Sequence, residues 1–411
     1  MQYGCIGEHL THSFSKIIHG ELTDYRYELH EIPMGELDKF MTARDFKAIN
    51  VTMPYKQDVI PYLKAVEPMA AAIGAVNTIV NRSGDLYGYN TDFGGMAALI
   101  ARTGIDMTGK KVLILGTGGT SNTAMAVAKH LGAEVYRVSR SAKAGVLTYD
   151  EVKAHHLDAQ VLMNTTPRGM FAQEKGMSID PALFPHLEGA VDAVYNPLRT
   201  EFILAARKQG TRAAGGLYML VCQGVLASEI FLDTKYPEGT AEHIYRKIKS
   251  GKENIVLIGM PGSGKSTVGR LLSEKLGRPY LDVDTLITEK TGKTPAELIS
   301  AEGEQAFRDV ESEVICSIAL ETGAVIATGG GAVLREENRN ALRMNGKIFF
   351  LDRPVEQLLP TKDRPLSSTK EAILQRYHER YDMYVSTADV VIDNAASAEE
   401  AAQQVERNVL P

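Results

Sequence analysis

The run Gly259-Met-Pro-Gly-Ser-Gly264-Lys265-Ser266-Thr267 fills the pattern Gly-x4-Gly-Lys-Ser/Thr, whose backbone N–H groups wrap a phosphate at the start of a helix. In such a loop Gly262, Ser263 and Gly264 cradle a β-phosphate, Lys265 reaches the β- and γ-phosphates, and Ser266 offers a hydroxyl to Mg²⁺ ahead of Thr267. Asp282 and Asp284 lie two apart on an expected strand and so project to one side. One suits a magnesium shell and the other can accept a hydroxyl proton. A second glycine turn, Gly116-Thr-Gly118-Gly119-Thr120-Ser121, is a weak pattern by itself, but it follows an apolar run and opens a helix. Past the next strand stand Ser139-Arg140-Ser141. A carboxylate there would bind the ribose hydroxyl of NAD, whereas a cation between two hydroxyls suits the 2′-phosphate of NADP. Further upstream, polar residues gather in His12-Ser13-Phe14-Ser15, Asn50-Val-Thr52-Met-Pro54-Tyr-Lys56, Gly74-Ala-Val-Asn77-Thr78 and Gly88-Tyr-Asn90-Thr91-Asp92. Singly each is an ordinary turn or cap. The two serines share one side of an extended segment.

The elements that must position these groups are legible in the apolar pattern. Lys111–Leu115 reads as a buried parallel strand, 122–131 as a helix stopped at Gly132, and Val135–Val138 as the next strand. Ile255–Ile258 is a strand, Lys265–Leu276 a helix stopped at Gly277, and 279–284 the strand that follows. Residues 238–249 have helical character, 250–254 read as a polar joint, and the alanine-rich stretch 395–405 reads as a surface helix. The fold class is therefore α/β, with a Rossmann unit and a separate P-loop unit on a parallel sheet. A chain of 411 residues has room for two or three domains. With 44% apolar and 23% charged residues it forms packed cores, and a net charge of −6 gives no polycationic surface for nucleic acid. Cys5, Cys222 and Cys316 are too few and too far apart for a disulfide framework or zinc module, which points to a reducing cytoplasm. The first residues lack a basic start, and eighteen apolar residues never run together, so neither export nor a membrane span is expected. Oligomeric state is not readable.

Taken together, the upstream motifs resemble the shikimate dehydrogenase family: Ser-x-Ser, Asn-Val-Thr-x-Pro-x-Lys, Gly-Ala-Val-Asn-Thr and Asn-Thr-Asp occur in its order. Asn164-Thr-Thr-Pro-x-Gly-Met170, Asp192-x-x-Tyr195-x-Pro197 and Gly216-Leu-Tyr-Met-Leu-Val-Cys-Gln223 continue the match over about residues 1–245. The resemblance implies a substrate domain, 1–93 completed by about 217–249, and a Rossmann NADP domain, 94–216. It implies that Lys56 donates a proton or stabilises an alkoxide and that Asp92 positions it and the substrate hydroxyls. Ser13, Ser15, Thr52, Asn77, Tyr195 and Gln223 would contact 3-dehydroshikimate, with Asn164 and Gly216 beside the cofactor. Ala144 stands where the family often has a second phosphate-reading arginine, and Lys143 is the neighbouring cation.

Downstream, Asp282-x-Asp284, Ala306-Phe-Arg308-Asp-x-Glu311, Gly329-Gly330-Gly331, Arg364-Pro-Leu and Arg380-x-x-x-Tyr384 resemble shikimate kinases. This implies a P-loop kinase domain over 255–411, joined through 250–254, that binds ATP and Mg²⁺. Arg308 and Arg380 would clamp the shikimate carboxylate, Asp284 would hold the reacting hydroxyl and act as base, and Asp282 with Ser266 would serve the metal. The triple glycine around Gly330 would let backbone approach the substrate, and Arg364 would neutralise the transferring phosphoryl group from a lid. The expectation is a bifunctional enzyme with small-molecule partners. Its rivals are a quinate enzyme using NAD, separated by cofactor preference, and a shikimate sensor, which has no use for a P-loop lysine beside a base.

Overall fold

A computed structural model describes residues 1–10, 14–171, 176–358 and 369–409, and the chain divides into two compact units, Met1–Arg246 and Lys247–Pro411. The first unit carries two sheets. One is mixed, with strand order Tyr27–Glu31, Tyr3–Gly7, Ala48–Val51, Thr78–Arg82, Asp85–Tyr89 and Ala65–Val66. The other is parallel throughout, in the order Arg212–Ala214, Gly189–Asp192, Val161–Asn164, Lys111–Leu115, Glu134–Ser139 and Leu147–Thr148. That is the doubly wound order, which places its switch point beside the strand ending at Leu115. Four of that strand's five residues are buried, as helices on both faces require.

Helix Leu217–Leu232 packs along helix Thr91–Thr103 and also against helix Ser15–Gly20 and two strands of the mixed sheet. Glycines permit the approach: a Cβ on Gly95 would stand 2.6 Å from the Met219 carbonyl, and one on Gly224 2.8 Å from Ile18 Cγ2. Ala227 and Phe231 fill the core beneath the mixed sheet with Cys5, Tyr27 and Ala48.

The second unit is one parallel sheet in the order Tyr280–Asp282, Val325–Ala327, Asn254–Ile258, Gly346–Asp352 and Val390–Asp393. Its central strand runs into the P-loop, and helix Lys265–Leu276 ends at left-handed Gly277 (φ 63°) as the sequence implies.

Four local expectations fail. Residues 250–254 are not a joint: helix Thr240–Lys252 runs through most of them, and Asn254, 1% exposed, opens the central strand. Polarity there serves packing, since the Asn254 amide donates to the Glu321 carbonyl and its oxygen accepts from Ala324 N. Asp284 is not on a strand, because Asp282 ends the strand and caps helix Val283–Thr291. Ser15 begins a helix rather than continuing an extended segment. The helix after Gly118 starts at Gly119 rather than at 122.

Candidate active sites

In the first unit, Asn90 caps helix Thr91–Thr103 by accepting from Phe93 N, which sets Asp92 in the first turn, where the helix N-terminus favours a carboxylate. Lys56 Nζ meets Asp92 Oδ2 at 2.6 Å, with the side chains 21% and 12% exposed. Asn77 holds the neighbouring residue from both ends: its Oδ1 accepts from Thr91 N at 2.8 Å and its Nδ2 donates to Thr91 Oγ1 at 3.0 Å. Thr91 Oγ1 in turn donates to Gln223 Oε1 at 3.4 Å. Lys56, Asp92, Asn77 and Gln223 are thereby brought together from four separate segments. Thr52 lies against Gly7, where a Cβ would come within 2.6 Å of its methyl group. Tyr195, its hydroxyl pKa raised by burial, packs its ring 5.4 Å from that of Phe14, next to Ser15. Ser13 falls outside the described residues.

The dinucleotide turn follows the carboxyl end of strand Lys111–Leu115 in the parallel sheet. Gly116 takes φ 114°, and a Cβ there would stand 2.8 Å from Thr165 Oγ1, whereas Cβ atoms on Gly118 and Gly119 would meet nothing within 4 Å. That open cradle at the head of a twelve-residue helix fits a pyrophosphate. Ser121 donates to the Gly116 carbonyl at 2.8 Å and so stiffens the turn beside Thr120. Ser139 Oγ accepts from Ser141 N, Arg140 is exposed, and Lys143 Nζ reaches Thr117 Oγ1 at 3.4 Å. Gly216 starts helix Leu217–Leu232 against the Ala193 carbonyl, which a side chain would strike.

In the second unit one pocket of about 360 Å³ is lined by Gly262, Gly264, Lys265, Ser266, Thr267, Asp282, Asp284, Arg308, Gly330 and Arg380. Lys265 Nζ donates to the Gly259 and Met260 carbonyls at 2.9 Å, Gly264 has open space above its Cα, and the buried Ser263 hydroxyl has no hydrogen-bond partner among the described residues. An orphan hydroxyl in an open glycine cradle fits a nucleotide phosphate. Ser266 Oγ lies 2.9 Å from Asp282 Oδ2, which also accepts from Tyr280. Among the described residues no three His, Cys, Asp or Glu gather as a metal site, so Mg²⁺ at Ser266 and Asp282 would draw its other ligands from phosphates and water. Arg308 is held by Glu311 Oε2 at 2.7 Å and Glu304 Oε1 at 3.1 Å, and Arg380 donates to the Gly330 carbonyl at 3.3 Å. Arg364 falls outside the described residues.

A family description of shikimate dehydrogenase substrate-binding domains matches residues 5–79, and one of shikimate kinases matches residues 261–409. A shikimate dehydrogenase (NADP(+)) of Clostridium perfringens is 32% identical over 266 residues, 60% of this chain and 98% of that protein. A shikimate kinase of Clostridium botulinum is 40% identical over 163 residues, 39% of this chain and 98% of that protein. The chain belongs to both families, dehydrogenase first and kinase second. The dehydrogenase part is also similar in fold to shikimate 5-dehydrogenase of Thermus thermophilus, solved in complex with NADP(H) and shikimate. The TM-score is 0.54 at 28% identity, over 60% of this chain and 99% of that one.

Within the kinase part, sequence reasoning missed the role of Glu311, although it stands in the motif with Arg308, together with Arg376 and one use of the glycine triplet. Glu311, 0% exposed, fixes Arg308 and so belongs to the site, and burial raises its carboxyl pKa against the pull of that arginine. Its place three residues after Arg308 on a helix was the available signal. Arg376 lines the same pocket, its pKa lowered by burial and by Arg380, and among the described residues it forms no ion pair. The glycine triplet makes room for site side chains as well as substrate. A Cβ on Gly329 would lie 2.6 Å from Glu311 Oε1, one on Gly330 2.7 Å from the Pro261 ring, and one on Gly331 would collide with the Arg308 guanidinium.

Proposed function

We propose that the N-terminal unit reduces 3-dehydroshikimate to shikimate with NADPH and that the C-terminal unit phosphorylates the shikimate with MgATP. The observation that carries the reading is the pairing, in one chain, of the Lys56–Asp92 contact at 2.6 Å with a P-loop pocket holding Lys265, Asp284, Arg308 and Arg380. When bound, NADPH supplies a hydride and MgATP a γ-phosphoryl group. In the reduction Lys56 faces the carbonyl oxygen, stabilises its developing negative charge and delivers a proton. Asp92 aims that ammonium and accepts from a substrate hydroxyl, while Ser13, Ser15, Thr52, Asn77, Tyr195 and Gln223 bind the ring substituents. Arg140, with Ser139, Ser141 and Lys143, favours the 2′-phosphate. The rival pairing of quinate with NAD is disfavoured because residues 140–148 include no carboxylate. In the kinase Asp284 accepts the proton of the attacking hydroxyl. Arg308 and Arg380 hold the carboxylate, each charge-assisted bond worth about 1.5–3 kcal/mol, and Arg364 meets the phosphoryl group. Cys5, Cys222 and Cys316 are all free thiols, which supports a reducing cytoplasm as the compartment.

The purified chain with 3-dehydroshikimate and NADPH should lose NADPH absorbance and, once MgATP is added, release ADP and form shikimate 3-phosphate. Turnover of NADPH without ADP release would remove the kinase half of the proposal. ADP release only from added shikimate would remove the other half.

A further inference from the structure

Asp192 is 0% exposed and has no part in the chemistry above, yet it ends strand Gly189–Asp192 directly beside Asn164, its partner in the parallel ladder. Ligands of doubly wound sheets bind at this carboxyl end. Its Oδ1 accepts from Asn164 Nδ2 at 2.8 Å and from Val194 N at 2.9 Å, while Oδ2 accepts from Thr200 Oγ1 at 2.6 Å. Each bond leads to a different segment. Asn164 Oδ1 accepts from Thr166 N and Oγ1, and Thr165 Oγ1 donates to the Leu115 carbonyl just before the dinucleotide turn. Val194 precedes Tyr195, and its carbonyl accepts from Gly216 N at the head of the helix that carries Gln223. Thr200 caps helix Glu201–Lys208.

We propose that Asp192 is a positioning residue of the dehydrogenase, one carboxylate that locks the cofactor turn and the Val194–Tyr195 substrate segment into register. The proposal rests on the dehydrogenase reading above. Geometry separates this role from plain structural support: the bonds to Asn164 and Val194 lead to ligand-binding segments, whereas the bond to Thr200 leads only to a helix cap. All three partners are donors, so the ionised carboxylate satisfies every one. Burial pushes the Asp192 carboxyl up to about 7, with the Thr200, Val194 and Asn164 donors acting in the other direction.

The experiment uses the intact chain and reads KM for NADPH, KM for 3-dehydroshikimate and kcat, with kinase activity as the internal reference. Asp192→Ala should raise both KM values about tenfold, since the change strikes two ligand-binding segments at once. Asp192→Asn should stay within about threefold of wild type, because its amide oxygen can take the place of Oδ1. Thr200→Val should lower Tm by about 2–4 °C for the lost cap and leave both KM values unchanged. If the alanine variant does not fold, Asp192→Ser, which keeps one acceptor, must still raise both. Native KM values in the alanine or serine variant, or equal KM losses in Thr200→Val, would overturn the proposal. A wild-type chain that does not oxidise NADPH with 3-dehydroshikimate would overturn the dehydrogenase reading and this inference with it.

Discussion

Arg376 stands one helical turn before Arg380 on helix Lys370–Thr387 and faces the same pocket, so three guanidinium groups converge where an acidic substrate is expected. Arg376→Leu should relieve that repulsion and cost acceptor binding, raising KM for shikimate about tenfold or less, as expected for one partly solvated charge-assisted bond, with KM for ATP little changed. A loss confined to ATP would place the residue on the nucleotide side. Two buried groups of the dehydrogenase unit make opposite claims on pH. Burial lowers the His19 pKa from 6.5 to about 3, so the unfolded chain takes up a proton that the folded chain refuses, and stability is lost as pH falls through that window. Burial raises Asp192 from 3.8 to about 7, so its stabilising contribution is full below 3.8 and is lost as pH rises toward 7. Between about pH 4 and 6.5 the two groups therefore act on stability in opposite directions. Relative to wild type, Asp192→Asn should gain stability as pH rises across that window and His19→Gln should lose it, measured by urea unfolding at both ends. Two slopes of the same sign would refute the assignment. Lys56, Asp92 and Arg308 were legible because their motifs surround them with other diagnostic residues. Arg376 was not, since a helical arginine is indistinguishable in sequence from a solvated one until the facing wall is known, and Glu311 stood in the motif with Arg308 without its role as that arginine's partner being read.

The glycine triplet after strand Val325–Ala327 ties element to function. Gly331→Ala would drive a methyl group into the Arg308 guanidinium, breaking its alignment with Glu311. KM for shikimate should rise about tenfold or more, while ATP binding at the P-loop, a separate turn, stays near native. Unchanged shikimate affinity would show that Arg308 can move aside without cost. The strands and glycine turns were legible because buried parallel strands read as unbroken apolar runs ended by glycine. The strand drawn through Asp284 failed for a physical reason. Asp is a strong helix-capping residue, and Asp282 captures Asp284 N and Thr285 N, so the chain turns helical one residue after it. Alternation across Asp282 and Asp284 imitated a strand at the point where a cap was forming.

The division of the chain falls inside helix Thr240–Lys252, between Arg246 and Lys247. Fragments 1–252 and 240–411, each keeping that whole helix, should retain reduction and phosphorylation respectively. A dehydrogenase fragment that is dead alone but revived by the kinase fragment would end the reading of two self-sufficient units. The unit count was legible from two phosphate-binding turns, but the seam was not, because polar residues 250–254 are recruited into packing. Within the first unit, Ala227 and Phe231 close the core under the mixed sheet, although the chain leaves that sheet's last strand at Tyr89. During synthesis at roughly 5–20 residues per second, the interval before helix Leu217–Leu232 exists is about 6–25 s. Throughout it, the nascent sheet lacks the cover that Ala227 and Phe231 later provide, so ribosome-bound chains halted before residue 217 should be protease-sensitive in residues 1–90, and chains long enough to expose residue 232 should not. The order in which the polypeptide is made thus delays closure of the substrate lobe until the dinucleotide lobe has been translated.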